Sequence, residues 1–113
     1  MRGGLATLAD DIEWHGAKSP EIPYGGRRQG KAEVEKFFAR IGQAVDYEYF
    51  DAQDYVVHNE RVIVIGREKF QVKKTGKHVL NEWAMFFLIR HGKISRFQVY
   101  EDTAAVVAGF RAD

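Results

Sequence analysis

The stretch from His78 to Glu101 reads HVLNEWAMFFLIRHGKISRFQVYE. Two runs of β-branched, aromatic and aliphatic residues flank His91-Gly92, a pair suited to the positive φ of a two-residue hairpin turn. A turn of that length places Arg90 opposite Lys93 and so decides which side chains share a face. One hairpin upstream, Thr75-Gly76 lies between similar runs, and the same rule sets Lys74 against Lys77. One face then carries Glu68, Phe70 and Val72, followed by Val79, Asn81, Trp83, Met85, Phe87 and Ile89, and finally Ile94, Arg96, Gln98, Tyr100 and Asp102. This is the face expected to be buried. Carboxyls, amides and a phenol are seldom placed in an apolar core without partners or a purpose. On the opposite face Phe86 falls beside Phe97 and Ala84 beside Val99, an apolar patch expected to serve as a homodimer interface. Glu82 falls beside Lys69 as a cross-strand ion pair.

Working outward, the run from Val45 to Glu101 is strand-like throughout, with Asn59-Glu60 as a third hairpin turn, and predicts an antiparallel meander. Between Lys31 and Ile41 the period changes: Val34, Phe37, Phe38 and Ile41 fall at i, i+3, i+4 and i+7, the stripe of an amphipathic helix. Asp102-Thr103 offers an N-cap for a last short helix through Phe110. Gly16 to Gly30 holds both prolines and four glycines, a long loop of the kind that borders pockets. Leu5 to Ala9 reads as the tail of a helix broken by Asp10-Asp11, ahead of a short strand from Ile12 to Trp14. The expected fold class is α+β, with helices packed on one face of a curved sheet.

The 113 residues, 45% of them hydrophobic, suit a single domain spanning the chain. Seventeen basic and sixteen acidic side chains give a formal charge of +1, without the field that would hold a nucleic acid. No cysteine is present, which excludes disulfides and thiolate chemistry, and a cytoplasmic location is expected. The longest apolar run, Ala84 to Ile89, is far below the about 20 residues that cross a bilayer, so no membrane partner is expected. The four histidines, His15, His58, His78 and His91, are scattered, and neither a metal nor a cofactor is expected. Gly25 to Gly30 lacks the lysine of a phosphate-binding loop and reads as a turn.

Asp10-Asp11-Ile12-Glu13-Trp14-His15, Gly30 ahead of Phe37-Phe38, Gly92-Lys93-Ile94 and Tyr100-Glu101-Asp102-Thr103-Ala104-Ala105 together resemble the SnoaL-like branch of the nuclear transport factor 2-like superfamily. The resemblance covers nearly the whole chain. It implies a cone, a strongly bent antiparallel sheet wrapped around helices, with a pocket at one end and dimers formed through the outer sheet face. It also implies a long first helix where only Met1 to Gly4 precede Leu5, so that helix is expected to be shortened, its place taken by a partner subunit or by chain upstream of this start.

The superfamily spans isomerases, cyclases, epoxide hydrolases, dehydratases and non-catalytic binding domains, so the resemblance fixes fold more firmly than activity. Asp102 matches the acid/base of SnoaL-like cyclases, and is equally a helix N-cap. Glu68 matches an aspartate of limonene epoxide hydrolase. That enzyme's arginine falls here on Gly66, and its tyrosine and asparagine on Trp14 and Gly16, which ranks epoxide hydrolysis third. His15 lies near the general base of ketosteroid isomerase, or is a rim histidine. Tyr100, expected beside Trp83, could donate to an oxyanion. Trp14, Tyr24, Asn81, Trp83, Met85, Phe87 and Gln98 are the expected pocket lining, for a small apolar and cyclic ligand. The expected function is proton transfer by an isomerase, cyclase or lyase using Asp102 and Glu68, with a non-catalytic binding or dimerisation domain as the alternative.

Overall fold

The computed structural model describes residues 6–112. Its strands are β1 (Leu8–His15), β2 (Arg27–Gln29), β3 (Val45–His58), β4 (Arg61–Val72), β5 (His78–Arg90) and β6 (Lys93–Glu101), and its helices α1 (Lys31–Ala44) and α2 (Thr103–Phe110). All six strands form one bent sheet in the order β2-β1-β6-β5-β4-β3. Neighbours are antiparallel except β1 and β6, which run parallel because the first strand enters beside the last, heading the same way. Both helices pack on the concave side, so the α+β architecture expected from the periodicities holds. No helix among the described residues is long and apolar enough to cross a membrane.

At the chain's start, Leu5 and the residues before it lie outside the described residues. From Leu8 onward the chain is strand, not helix tail. Leu8, Ile12 and Trp14 are buried, and the pairing with β6 is irregular between Leu8 and Glu13, where Asp10 and Asp11 stay exposed within the strand. The loop after β1 closes on itself through Gly16 N–H to Gly26 O (2.9 Å) and Gly26 N–H to Ala17 O (2.7 Å), and β2 takes up what would otherwise be its second half. Tyr24 and Ile22 turn from this loop into the core.

Two hairpins depart from the expected registers, with different consequences. The turn after β4 is four residues wide: Val72 N–H bonds Lys77 O at 2.8 Å and Gln71 pairs with His78. Thr75 explains the width, because its hydroxyl donates to Gly109 O of α2 (2.6 Å) and accepts from Lys77 N–H (3.2 Å), which ties the turn to the helix end. The resulting shift is by two residues, so the faces survive and only the partners change. Glu68 sits opposite Asn81, not Trp83, and Glu82 opposite Arg67, not Lys69. Lys69 is paired with Glu48 instead, at 3.2 Å.

In the β5–β6 hairpin, Arg90–Lys93 and Ile89–Ile94 pair as expected, and then Ser95 bulges out, its hydroxyl on Leu88 O at 3.2 Å. One extra residue reverses every side chain that follows. Phe97, Val99 and Glu101 therefore point inward, and Arg96, Gln98 and Tyr100 outward. The driving force is visible in the alternation itself: without the bulge, Arg96 and Gln98 would face the apolar cavity side and Phe97 and Val99 the convex side. The expected outer patch of Ala84, Phe86, Phe97 and Val99 accordingly does not form, since Phe97 is 3% exposed within the core.

Candidate functional site

The concave face holds two apolar clusters, one built on Phe70, Val72, Val106 and Phe110, the other on Ile12, Trp14, Val34 and Phe97, and Phe37 of α1 touches both. Between them lies a cavity of about 320 Å³. One wall is Trp14, stacked on Phe97 at 3.9 Å and edged by Phe37 and Phe38. The other is Trp83, stacked on Phe50 at 4.9 Å, with Tyr47 set edge-on to Phe50. Gly66 makes this second wall possible: a Cβ there would come within 2.6 Å of the Trp83 ring, which lies across the bare backbone of β4.

Glu68 and Glu101 reach the same cavity. Their side chains converge on one nitrogen: Asn81 Nδ2 donates to Glu68 Oε2 at 3.2 Å and to Glu101 Oε2 at 2.7 Å. The amide cannot turn over, because its Oδ1 accepts the Asp102 backbone N–H at 3.1 Å. The two acceptor oxygens therefore lie within about 6 Å of one another, close enough for each charge to be felt by the other. Glu68, 6% exposed, has its carboxyl pushed up to about 7: burial raises it, the Asn81 bond pulls it back, and the charge of Glu101 raises it further. Burial also raises Glu101, opposed by the same amide and assisted by Asp102. The phenols of Tyr24 and Tyr47 are held well above the usual tyrosine range by burial and by both carboxylates, so they remain neutral donors at any physiological pH. The indole N–H groups of Trp14 and Trp83 have no hydrogen-bond partner among the described residues.

Trp14, Tyr24, Trp83, Met85, Phe87 and Glu68 line this cavity, and Asn81 stands directly behind its two acids. Four residues expected here lie elsewhere. Asp102 is exposed and its carboxylate accepts Ala105 N–H at 3.2 Å, capping α2. Tyr100 is 57% exposed on the convex face, carried there by the Ser95 bulge. Gln98 is turned outward by the same bulge and accepts from Arg96 at 3.3 Å. His15 follows the inward Trp14 and so points to the convex side, 3.7 Å from Glu13. Glu101, with Phe97 and Val99, lines the cavity although the hairpin rule set it on the other face, and Tyr47 and Phe50 come from β3, to which the rule assigned no faces. The alternation of Phe97, Val99 and Glu101 was the available sign for the first.

A family model described as a SnoaL-like domain matches residues 1–97. The chain belongs to the SnoaL-like family. No curated relative matches this SnoaL-like chain. Among solved structures, an NTF2-like protein from Burkholderia xenovorans LB400 is 27% identical, with a TM-score of 0.90 over 97% of this chain and 82% of that one. TerC, co-crystallised with polyporic acid, is 21% identical, with a TM-score of 0.85 over 96% and 84%. A protein with a ketosteroid isomerase-like fold from Catenulispora acidiphila DSM 44928, in complex with trimethylamine, is 14% identical, with a TM-score of 0.79 over 96% and 80%. At those two lower identities the similarity is one of fold.

Proposed function

We propose that this SnoaL-like domain catalyses proton transfer on a small, cyclic carbonyl compound, with Glu101 as base and Glu68 as acid. The observation that carries this reading is the pair of carboxyls bridged by Asn81 inside an aromatic cavity. The shorter bond from the amide favours the ionised form of Glu101, while Glu68, the more buried of the two and facing that charge, holds its proton close to neutrality. Such a pair divides the labour: Glu101 removes a proton from the carbon beside the carbonyl, and Glu68, or the neutral phenol of Tyr24 or Tyr47, donates to the enolate oxygen. Return of the proton to a second carbon completes an isomerisation, and attack of the enolate on a second carbonyl completes a cyclisation.

Mass spectrometry of fused-ring ketones incubated with the protein in D2O tests this directly. Deuterium should enter the α-carbon faster than in buffer, and Glu101→Gln and Glu68→Gln should each slow that exchange by about 100-fold or more. Exchange that is absent, or equal in the folded variants, sinks the reading, and bound ketone without exchange favours a non-catalytic binding domain.

We further propose that a second copy covers the convex sheet face. Val56, Ile63, Ile65, Ala84, Phe86 and Tyr100 take the place of the patch first expected there, and Ile63 lies opposite Phe86 and Ile65 opposite Ala84. An apolar sheet surface of this kind is a recognised feature of protein interfaces.

A further inference from the structure

The cavity contains nine aromatic side chains and two carboxyls, and no lysine, arginine or histidine contributes to its lining. Among the described residues neither Glu68 nor Glu101 has an ion-pair partner, and their shared hydrogen-bond partner is a neutral amide. Acids elsewhere among the described residues do have cationic neighbours, as Glu48 does with Lys69 and Glu21 with Arg111 at the surface. The buried cation Arg28 belongs to a separate contact, with Glu33 of α1 at 3.6 Å. The cavity is thus a negatively charged hollow with π-faces for walls and without a countercharge.

We infer that the ligand of this cavity is an organic cation, a tertiary or quaternary ammonium carrying apolar substituents. Ring faces attract a positive charge through their quadrupoles, most strongly where water is excluded, and Trp is the best of them. Here two stacked aromatic pairs, Trp14 with Phe97 and Trp83 with Phe50, stand around two acids. A carboxylate or phosphate ligand would meet like charge with nothing to neutralise it, and a neutral hydrocarbon would leave the two acids uncompensated. The inference rests on the reading that this cavity is the substrate site, and deepens it: an ammonium group on the substrate would supply the positive charge that a developing enolate needs and that the protein itself does not provide.

Calorimetric titration of the purified protein with choline, with its uncharged carbon isostere dimethylbutanol and with the matching carboxylate dimethylbutyrate separates charge from shape. Choline should bind about tenfold or more tighter than dimethylbutanol, and dimethylbutyrate most weakly. The groups facing Glu68 are Glu101 from β6, Tyr24 from the loop after β1 and Tyr47 from β3, with Asp102 beyond Glu101. Glu68 ionises near neutrality while the two phenols stay neutral, so choline affinity should rise with pH through about 7. The Glu68→Gln/Glu101→Gln double variant should lose the preference for choline and keep its affinity for dimethylbutanol. Equal binding of choline and dimethylbutanol by the unaltered protein overturns the proposal without recourse to any variant. If ketone α-protons still exchange in that case, the proton-transfer reading stands. If choline binds tightly and no ketone exchanges, the cation site stands and the chemistry falls.

Discussion

At the last residue of β6 Glu101 turns toward Asn81, and its backbone neighbour Asp102 turns to solvent to cap α2. Substituting each in turn should therefore give opposite results. Asp102→Ala removes a cap and should cost about 1 kcal/mol in chemical denaturation, with any exchange activity of the folded protein preserved. Glu101→Gln should keep the fold and abolish exchange. Equal loss of exchange in the two would place the acid/base at the cap. Glu68 makes a second prediction, in stability against pH. An unfolded glutamate titrates near about 4.3, and in the native state burial pushes Glu68 up to about 7. Between those values the native state binds the extra proton, so stability is full below the lower value and is lost as pH rises through the upper one. Unfolding free energies from denaturant titrations between about pH 4.5 and 8 should fall by roughly 2–4 kcal/mol, and Glu68→Gln should flatten the slope. A slope unchanged in the variant would assign it to other groups. Gly66→Ala sets a methyl against the Trp83 ring and should cost about 1–3 kcal/mol by overpacking, read as a lowered Tm.

Among the elements, those with a clear period were legible. The stripe of Val34, Phe37, Phe38 and Ile41 gave α1, which runs three residues past Ile41, through Gly42 to Ala44. The strands followed from β-branched and aromatic runs, and two of the three hairpin turns from Asn59-Glu60 and His91-Gly92. What the hairpin rule could not contain was interference from outside each hairpin. Thr75 answers to α2, not only to its own strands, and Ser95 is an insertion that the turn chemistry does not announce. The first error was harmless because it preserved parity, and the second moved Tyr100, Gln98 and Asp102 out of the site and Glu101 into it. Deleting Ser95 tests this. The variant makes the register continuous with Arg96 still opposite Leu88 and Phe97 still opposite Phe87, so the faces are kept and it should retain its cooperative thermal transition by circular dichroism. A deletion variant that loses the transition would show that Ser95 is more than an extra residue in the strand.

For the molecule as a whole, the sheet extends well beyond the helices, with overall dimensions of 47 × 29 × 22 Å. Its convex side keeps Ile63, Ile65, Val56 and Tyr100 substantially exposed. A dimer through the outer face is expected both from the apolar patch and from the resemblance, but the residues of that patch depend on the β5–β6 register, and so only Ala84 and Phe86 of the original four remain there. Ile63→Lys with Phe86→Glu should convert a dimer to a monomer in sedimentation velocity, while leaving the cavity on the other face intact. A parent that sediments as a monomer removes the interface.

The parallel contact between β1 and β6 joins the two extremes of the chain, Trp14 beside Phe97. Contacts so distant along the sequence incur the largest loop-closure entropy and form late. The hairpins of β3 to β6 can assemble locally during synthesis, but the stack of Trp14 on Phe97 cannot form until β6 has left the ribosome. Completion of the aromatic hollow is thus a late event in folding, and early nicking or unzipping of the first strand would open it before the rest of the sheet gives way.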